Sequence, residues 1–337
     1  MTTPHRRLRT ASTLLAAGAA LVLTLAGCSA GANGAGADSD AEGTTTLKVA
    51  TIGLLSDGAL QLGIEQGFFA EEGLEIETSI VANPPAGLAA AQSGQVDIAY
   101  APSIPLLNAL NQGVPLQVVA AADGYAENAA EESDPAEIDD TGLYASPDSG
   151  ITSIEDLAGA TVAVPARQAQ LEVTIANAAV DAGVDPATIN WVVLDFTSAV
   201  SALASGTADA AGLVSPFTGQ AAAAGSPVLA YPGLEFFEEG AVGLWTAGES
   251  TVAAKADAIA AFQRAIAKTN AYANENSAAA VEAGIAYTES SMAPDEVTVP
   301  YWPTEVTDAE LSRVNDKLVA LGYLPGTVDL DGVILAP

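Results

Sequence analysis

An internal repeat constrains the fold of this chain more than any other feature of its sequence. The segments SGQVDIAYAPS (residues 93–103) and SGTADAAGLVS (residues 205–215) align at a constant offset of 112 residues. Ser, Gly, Asp, Ala and Ser coincide within this alignment, and each segment follows an alanine-rich stretch typical of a helix. We therefore expect two halves of similar architecture.

The elements upstream of the two segments occur in the same order. Hydrophobic patterns predict a strand, a helix and a second strand, at residues 47–53, 59–73 and 74–81 in the first copy and at 160–166, 170–183 and 189–196 in the second. Gly73 and Gly183 are expected to end the two helices, because glycine is favoured just after a helix C-terminus. Strands that alternate with helices predict α/β lobes with mostly parallel sheets.

The repeated aspartates, Asp97 and Asp209, are interpreted as structural. Each directly precedes a predicted strand, where its carboxylate can organise the turn that enters the strand. A ligand-binding role is the alternative.

The repeat also predicts where a ligand would bind. In open α/β sheets, ligands bind beyond the carboxyl ends of the strands. This rule selects residues 55–58, 83–87 and 100–103 in the first copy, and 166–168, 195–198 and 215–217 in the second. If the two sheet edges face one another, these six segments line one cleft.

The N-terminal residues 1–27 are typical of a secretory signal peptide, because three arginines precede an apolar run at 14–25. The run ends in LAGC, which resembles the bacterial lipobox, so Cys28 is expected to be the lipidated first residue of the mature chain. An ordinary signal peptide followed by an unrelated cysteine is the alternative. Residues 28–46 are rich in Gly, Ala, Ser and Asp and predict a flexible tether.

The strong acidity of the chain excludes one class of partner. The formal net charge is −32, and loss of the three signal arginines would make it −35. Nucleic acid is excluded as a partner, because its phosphates would be repelled. The lipid rather than a basic patch is then expected to hold the protein at the outer face of the cell membrane.

The residue inventory argues against an enzyme. The only histidine, His5, lies in the predicted signal peptide, and the only cysteine is the predicted lipid site. Nucleophilic chemistry that needs a histidine base is therefore not expected in the mature chain. No glycine-rich phosphate loop or zinc pattern occurs, so no cofactor or metal is expected.

Four regions of the sequence together resemble the solute-binding proteins of ABC importers. They are GFFAEEGLEIE (67–77), SGQVDIAYAPSIPLLNALNQGVPLQVVAA (93–121), GITSIEDLAGATVAVPA (150–166), and AGVDPATINWVVLDF with ALASGTADAAGLVSPF (182–196 and 202–217). The resemblance covers roughly Leu47 to Gly284. It is to the nitrate/sulfonate/taurine (SsuA) and NMT1/THI5-like type, here in lipoprotein form.

The resemblance implies a two-lobed, periplasmic-binding-protein-like (type II) α/β fold with a hinge of two crossing segments. The crossings are expected near Ala121–Ala145 and Leu229–Trp245. Lobe 1 would then comprise residues 47–125 plus 230–337, and lobe 2 residues 126–229. Members of the family close on a small molecule and deliver it to a membrane permease, and a monomer is expected.

Two alternatives to import stay open. A lipoprotein with the same cleft could sense its ligand and report to a membrane receptor. An extracytoplasmic enzyme on the same scaffold is the other, although pyrimidine-synthesising relatives use a chain histidine that the mature sequence lacks.

Arg167 is the only Lys or Arg between Lys48 and Lys255, and two interpretations of it stay open. It could hold an anionic ligand group together with nearby helix N–H groups. It could instead form a surface ion pair with one of three nearby carboxylates, Glu155, Asp156 or Glu172.

The predicted ligand-binding residues are polar and aromatic side chains near the predicted cleft: Ser56, Asp57, Asn83, Tyr100, Ser103, Arg167, Gln168, Thr197, Ser215, Phe217 and Trp245. The alternatives are a helix N-cap for Asp57, caps of the next turn for the two serines in strand-end positions, and core packing for the aromatic residues. One arginine, one aspartate and several aromatic groups favour a zwitterion or polar heterocycle over bare nitrate. Sulfonate, carboxylate, amino-acid-like and pyrimidine-like ligands all stay open.

Two further segments carry structural expectations. The acidic stretch 127–140, at the first crossing, is expected to be a solvated surface loop. The C-terminal residues 301–324 predict a capped helix packed on lobe 1, with Trp302 in the core rather than stacked on a ligand.

Overall fold

The computed structural model describes residues 43–336. The predicted signal peptide, Cys28 and tether residues 28–42 lie outside the described residues.

Ten strands are formed: β1 Thr45–Thr51, β2 Leu74–Ile80, β3 Ile98–Pro102, β4 Leu116–Tyr125, β5 Thr141–Ala145, β6 Thr161–Val164, β7 Asn190–Val193, β8 Ala210–Val214, β9 Val228–Ala230 and β10 Gly240–Gly248, within residues 43–336.

The helices of the same described residues are α1 Gly58–Glu65, α2 Phe68–Glu71, α3 Pro84–Gln92, α4 Ser103–Asn111, α5 Ala129–Glu132, α6 Pro135–Ile138, α7 Gln170–Asp181, α8 Phe196–Ser205, α9 Phe217–Ala223, α10 Pro232–Phe237, α11 Glu249–Ala254, α12 Ala256–Glu275, α13 Ser277–Tyr287 and α14 Asp308–Ala320. None of these helices is long and apolar enough to span a membrane.

The strands form two five-stranded mixed sheets with matching topology. The first sheet has the order β2-β1-β3-β10-β4, and the second has the order β7-β6-β8-β5-β9. In the first, β1 runs parallel to β2 and β3, whereas β10 runs antiparallel to β3 and β4. In the second, β6 runs parallel to β7 and β8, whereas β5 runs antiparallel to β8 and β9. The α/β architecture predicted from the repeat is confirmed.

The first predicted helix, residues 59–73, is interrupted. Gly67 has a φ of 78°, which ends α1 and starts the short α2. Gly73 and Gly183 have φ values of 72° and 80°, as expected for glycines that follow a helix.

Helices cover both faces of each sheet, and apolar side chains fill the space between them. On the first sheet, Leu47 and Val49 pack with Phe262 and Ile266 of α12 on one face. Leu88, Leu106 and Leu311 belong to the cluster on the other face. The second sheet is covered in the same way, by clusters that contain Ile175 of α7 on one face and Leu203 of α8 on the other.

The chain passes between the two sheets twice. β4 belongs to the first sheet and β5 to the second, so the first crossing comprises residues 126–140. β9 belongs to the second sheet and β10 to the first, so the second crossing comprises residues 231–239.

Asp139 ties the two crossings together. Its carboxylate accepts hydrogen bonds from the Tyr125 hydroxyl (2.7 Å), the Thr141 backbone N–H (2.9 Å) and hydroxyl (2.7 Å), and the Leu234 backbone N–H (2.8 Å). Only 1% of Asp139 is exposed. The expectation of a solvated surface loop is therefore wrong at the end of the acidic stretch, where hydrogen-bond donors from the adjoining strands and from the second crossing compensate the burial of this carboxyl.

The C-terminal segment forms the predicted capped helix on the first sheet. The Thr307 hydroxyl accepts a hydrogen bond from the Glu310 N–H, and the Glu310 carboxylate accepts one from the Thr307 N–H. Trp302 is fully buried, and its indole N–H donates to the Ser56 carbonyl at 2.9 Å, so the prediction of a core position is confirmed.

Candidate ligand-binding cleft

A cleft lies where strand ends and helix starts of both sheets meet, with about 680 Å³ of empty space including the part open to solvent. The lining residues are Ile52, Leu54, Pro84, Tyr100, Pro102, Asp123, Gly124, Tyr125, Ile138, Asp140, Thr141, Pro165, Ala169, Gln170, Leu171, Phe196, Val214, Val242 and Pro300.

All six segments selected from the sequence lie at or beside this cleft. Pro84, Tyr100 and Phe196 line it from within three of those segments. Leu54 and Val214 line it from positions directly before two others, and the last segment, 166–168, has lining residues on either side of it. The rule that ligand sites form beyond the carboxyl ends of strands thus selected segments that border this cleft.

The crossing segments contribute lining residues that the sequence interpretation missed. Asp123, Tyr125, Asp140, Thr141 and Val242 all lie in or beside the crossings, which we treated only as a hinge. A signal was present: a lone aspartate interrupts the apolar strand LQVVAAADGY, and a pair of aspartates directly precedes the apolar strand TGLYA.

Asp123 is a cleft-lining residue whose carboxylate is held by several hydrogen bonds. Its carboxylate accepts hydrogen bonds from the Ser56 hydroxyl (2.5 Å), the Tyr100 hydroxyl (3.0 Å) and the Gly243 backbone N–H (3.0 Å). Burial raises the pKa of the Asp123 carboxyl, and the hydrogen bonds from Ser56 and Tyr100 partly offset that increase. Ser56, a predicted site residue, therefore acts at the cleft through Asp123.

Asp140 lines the cleft without a partner of this kind. Within residues 43–336, its carboxylate receives no hydrogen bond from another residue. Burial raises the pKa of Asp140 well above its ordinary value, and the nearby carboxylates of Asp123 and Asp139 raise it further. The cleft thus contains a carboxyl group that is free to meet a ligand.

Asp57 lies behind the cleft wall and is 2% exposed. Its side chain caps no helix N–H of α1; instead it accepts a hydrogen bond from the Leu54 N–H at 2.8 Å, at the start of a short 3-10 turn. Asp57 does directly precede α1, but its side chain accepts no hydrogen bond from that helix, so the N-cap alternative is wrong. Burial raises the pKa of Asp57 to about 7, and the neighbouring Asp123 adds to this increase.

Arg167 does not line the cleft. Its guanidinium forms a two-pronged ion pair with Glu172, with N–O distances of 2.6 and 3.2 Å. The Arg167 side chain is 51% exposed, whereas that of Glu172 is 2% exposed. Glu172 also accepts hydrogen bonds from the Gln168 N–H and the Tyr323 hydroxyl. Of the two interpretations left open, the structure contains the ion pair.

Three of the predicted aromatic residues have different placements. Tyr100 lines the cleft and contacts Trp245 edge to face at 5.9 Å between ring centroids. Trp245 is 3% exposed and packs in the core of the first sheet rather than on the cleft. Phe217 stacks on Phe196 at 4.9 Å, so it supports a lining residue from behind.

The remaining predicted residues have no side chain in the cleft lining. Asn83 caps α3 by accepting from the Ala86 N–H, and Thr197 is exposed in the first turn of α8. Ser103 and Ser215 are fully buried, and their hydroxyl groups have no hydrogen-bond partner among the described residues. Gln168 is exposed beside Arg167.

Hydrogen bonds to backbone carbonyls join the two sides of the cleft. The Leu55 N–H donates to the Ser215 carbonyl at 3.1 Å, and the Asn108 side chain donates to the Gln168 carbonyl at 2.7 Å. Both use backbone carbonyls of residues that follow strands of the second sheet. In this structure the cleft is therefore closed.

Comparison with known proteins agrees with this architecture. The alkanesulfonate-binding protein SsuA from Xanthomonas axonopodis pv. citri, in a structure with bound MOPS, has a TM-score of 0.67 at 16% identity, over 86% of this chain and 98% of that chain. The nitrate-binding protein NrtA from Synechocystis PCC 6803 has a TM-score of 0.69 at 13% identity, over 86% of each chain. A ligand-binding component of an ABC-type import system from Staphylococcus aureus, with zinc bound, has a TM-score of 0.69 at 10% identity, over 86% of this chain and 96% of that chain.

These identities are low enough that the structural matches establish the fold alone. No curated protein sequence matches this chain significantly. The family model described as NMT1/THI5 like matches residues 58–280, which is most of the chain. Because that match includes strands of both sheets and both crossings, this chain belongs to the NMT1/THI5-like family.

Proposed function

We propose that the protein is an extracytoplasmic solute-binding protein that captures a small polar molecule between two lobes and delivers it to the permease of an ABC importer. The observation that carries this proposal is the cleft to which the strand ends of both sheets contribute. Relatives with this fold include sulfonate- and nitrate-binding proteins, which supports binding rather than catalysis.

The proposed lobes follow the two sheets, with residues 47–125 and 230–337 in one and 126–229 in the other. The two crossings would form the hinge, and Asp139 of the first crossing would hold them together because it accepts a hydrogen bond from Leu234 of the second. A ligand that contacts both lobes favours the closed state by the difference between its affinities for the closed and open states.

Anchoring to the membrane is part of the same proposal. Lipid on Cys28 would hold the protein at the outer face of the cell membrane, and residues 29–46 would give the lobes reach towards the permease. Replacing Cys28 with Ala should release the protein from the membrane fraction into the medium. A Cys28→Ala protein that stays in the membrane fraction would remove the lipid anchor from the proposal.

A ligand screen tests the binding function. The soluble chain from residue 29 onward is mixed with sulfonates, amino acids, pyrimidines, aromatic carboxylates and amines, and its melting temperature is measured. A true ligand raises this temperature, because it binds the folded state alone. Small-angle X-ray scattering of the same samples should show a smaller radius of gyration with the ligand than without it.

Two results would contradict the proposal. A compound that binds and is converted to a product would indicate an enzyme. If a ligand is found but its cellular uptake is unchanged when the protein is deleted, the protein is a sensor rather than part of an importer.

A further inference from the structure

The cleft contains carboxyl groups and no positive charge. Among its described lining residues are Asp123 and Asp140, and there is no Lys, Arg or His. Asp57 lies directly behind them, close enough to Asp123 for the two carboxyl groups to repel each other. A ligand in this cleft therefore meets carboxyl groups and no side-chain cation among the described lining residues.

The cations of the chain are engaged elsewhere. Of the seven Lys and Arg residues from Lys48 onward, six form ion pairs outside the cleft lining. These pairs are Arg167–Glu172, Lys255–Asp97, Arg264–Glu72, Lys268–Glu71, Arg313–Glu238 and Lys317–Glu238. Lys48 is exposed on β1 and does not line the cleft. No side-chain cation of the described chain is thus available to an anionic ligand in the cleft.

Removing carboxylates from water without a counter-charge is unfavourable. Asp123 is compensated by three hydrogen-bond donors, whereas the carboxylate of Asp140 has none from another described residue. A cationic ligand group would supply the counter-charge that Asp140 lacks. An anion would oppose the ionisation of Asp140, whereas a cation would favour it.

The other lining residues indicate the chemical class of the cation. Apolar and aromatic side chains dominate it, including Leu54, Tyr125, Phe196 and Val242. Aromatic faces attract cations, and apolar walls favour a hydrocarbon body. Within residues 43–336, no group of three or more His, Cys, Asp or Glu side chains could hold a metal ion, which favours an organic cation over a metal.

We propose, on the basis of the binding function above, that the ligand of this cleft is a small organic cation. Its ammonium or amidinium group would contact Asp140 and Asp123, and its apolar body would lie against Tyr125 and Phe196. This reverses the anionic or zwitterionic ligand expected from Arg167.

The number of protons released or taken up on ligand binding tests this inference independently of the affinity. Burial holds the pKa values of Asp123 and Asp140 above their ordinary values in this structure. A bound cation stabilises the ionised carboxylates, so binding should release protons at any pH at which these groups are protonated in the free protein, and the affinity should fall as the pH is lowered. An anion bound at the same carboxyl groups should instead take up protons.

The test adds probes of similar shape but different charge to the soluble chain. One series is 2-phenylethylamine, 2-phenylethanol and phenylacetate, and a second is butylamine, butanol and butane-1-sulfonate; benzamidine and zinc ions are added separately. We expect the amines and benzamidine to raise the melting temperature, and the neutral and anionic members to have little effect. Calorimetry in phosphate and in cacodylate buffer, which avoids amine and sulfonate buffers, should show proton release for each probe that binds.

Two substitutions test whether Asp140 is responsible for amine binding. Asp140→Asn keeps the size of the side chain and should weaken amine binding at least tenfold. Asp148→Asn removes one negative charge from an exposed position near β5 and should change the affinity less than twofold. Circular dichroism confirms that both variants are folded before binding is compared.

The possible outcomes separate this inference from the proposed function. Binding of phenylacetate or the sulfonate in place of the amines overturns the cationic ligand and leaves solute binding intact. An Asp140-dependent response to zinc alone overturns the organic cation. If no probe binds and protein purified from its native cells carries no small molecule detectable by mass spectrometry, both the inference and the proposed function fail.

Discussion

Asp97 and Asp209 occupy the same place in the two sheets, 112 residues apart in the chain. The Asp97 carboxylate accepts a hydrogen bond from the Lys48 backbone N–H at 2.9 Å, and the Asp209 carboxylate accepts one from the Thr161 backbone N–H at 2.7 Å. In return, the N–H of each aspartate donates to the carbonyl of the same partner. Each aspartate thus fastens the start of the central strand of its sheet, β3 or β8, to the neighbouring parallel strand, β1 or β6, and the structural interpretation of the repeated aspartates is confirmed.

This pairing predicts matched stability losses. Asp209→Ala should lower the free energy of unfolding by about 1–3 kcal/mol, because it leaves the Thr161 N–H without its partner. Asp97→Ala should cost about the same plus up to about 1 kcal/mol, since Asp97 also forms an ion pair with Lys255. Denaturant unfolding measures both. Asp148→Ala, at an exposed site, is the control and should change stability by less than about 0.5 kcal/mol.

A second prediction concerns the carboxylate shared by the two crossings. Asp139→Asn replaces one acceptor oxygen with an NH₂ group, which would face donors such as the Leu234 N–H. We expect a loss of about 1–3 kcal/mol in the free energy of unfolding. Glu137→Gln, exposed two residues earlier, should have almost no effect. Equal effects of the two substitutions would show that the Asp139 hydrogen bonds do not stabilise the hinge.

A third prediction is that the ligand-free protein loses stability as the pH rises from about 4 to about 7. Asp57 has a pKa of about 7 when folded and an ordinary value of 3.8, so in this interval the folded state binds more protons than the unfolded state. Asp123 and Asp140 act in the same direction, because burial raises their pKa values too. Melting temperatures across this interval should fall with increasing pH, and Asp57→Asn should make the slope shallower.

The control for the pH dependence is Asp195→Asn. Asp195 caps α8, and hydrogen bonds from the first turn of that helix lower its pKa, so it is ionised throughout the interval. The variant should be less stable at every pH while keeping the slope of the parent protein. A melting temperature that rises steadily with pH in the parent protein would contradict the assignment of raised pKa values to the cleft.

The fourth prediction separates the two interpretations of Arg167. Arg167→Gln should lower the free energy of unfolding by about 1–2 kcal/mol, because it removes the cationic partner of the buried Glu172. It should change the affinity for any ligand found in the screen less than twofold, since Arg167 does not line the cleft. Lys48→Gln serves as the exposed control. Loss of ligand affinity with unchanged stability would restore Arg167 to the binding site.

Much of the fold could be predicted from the sequence because the determining signals are local. Hydrophobic periodicity placed strands at the positions of β1, β2, β6 and β7. Glycines with positive φ ended the predicted helices at Gly73 and Gly183. The interruption at Gly67 was missed, because a single glycine is also tolerated inside a helical pattern.

The candidate site was predicted less completely. The strand-end rule led to Tyr100 and to segments that border the cleft, because it depends only on topology. Residue type alone could not distinguish Tyr100, whose hydroxyl donates to Asp123 in the cleft, from Trp245, which lies in the middle of β10 and packs on Phe262. It also gave Arg167 too much weight, because the Glu172 that takes its charge is one of several nearby acidic residues.

The sequence by itself determined two α/β halves built from a repeated unit and the edge of each sheet at which a ligand would bind. Only the tertiary structure decided the charge of the cleft. Asp123 receives its hydrogen bonds from Ser56, which is 67 residues away in the chain, and from Gly243, which is 120 residues away. Burial and proximity between such distant residues set the pKa and the availability of a carboxyl group, and no local pattern in the chain encodes either.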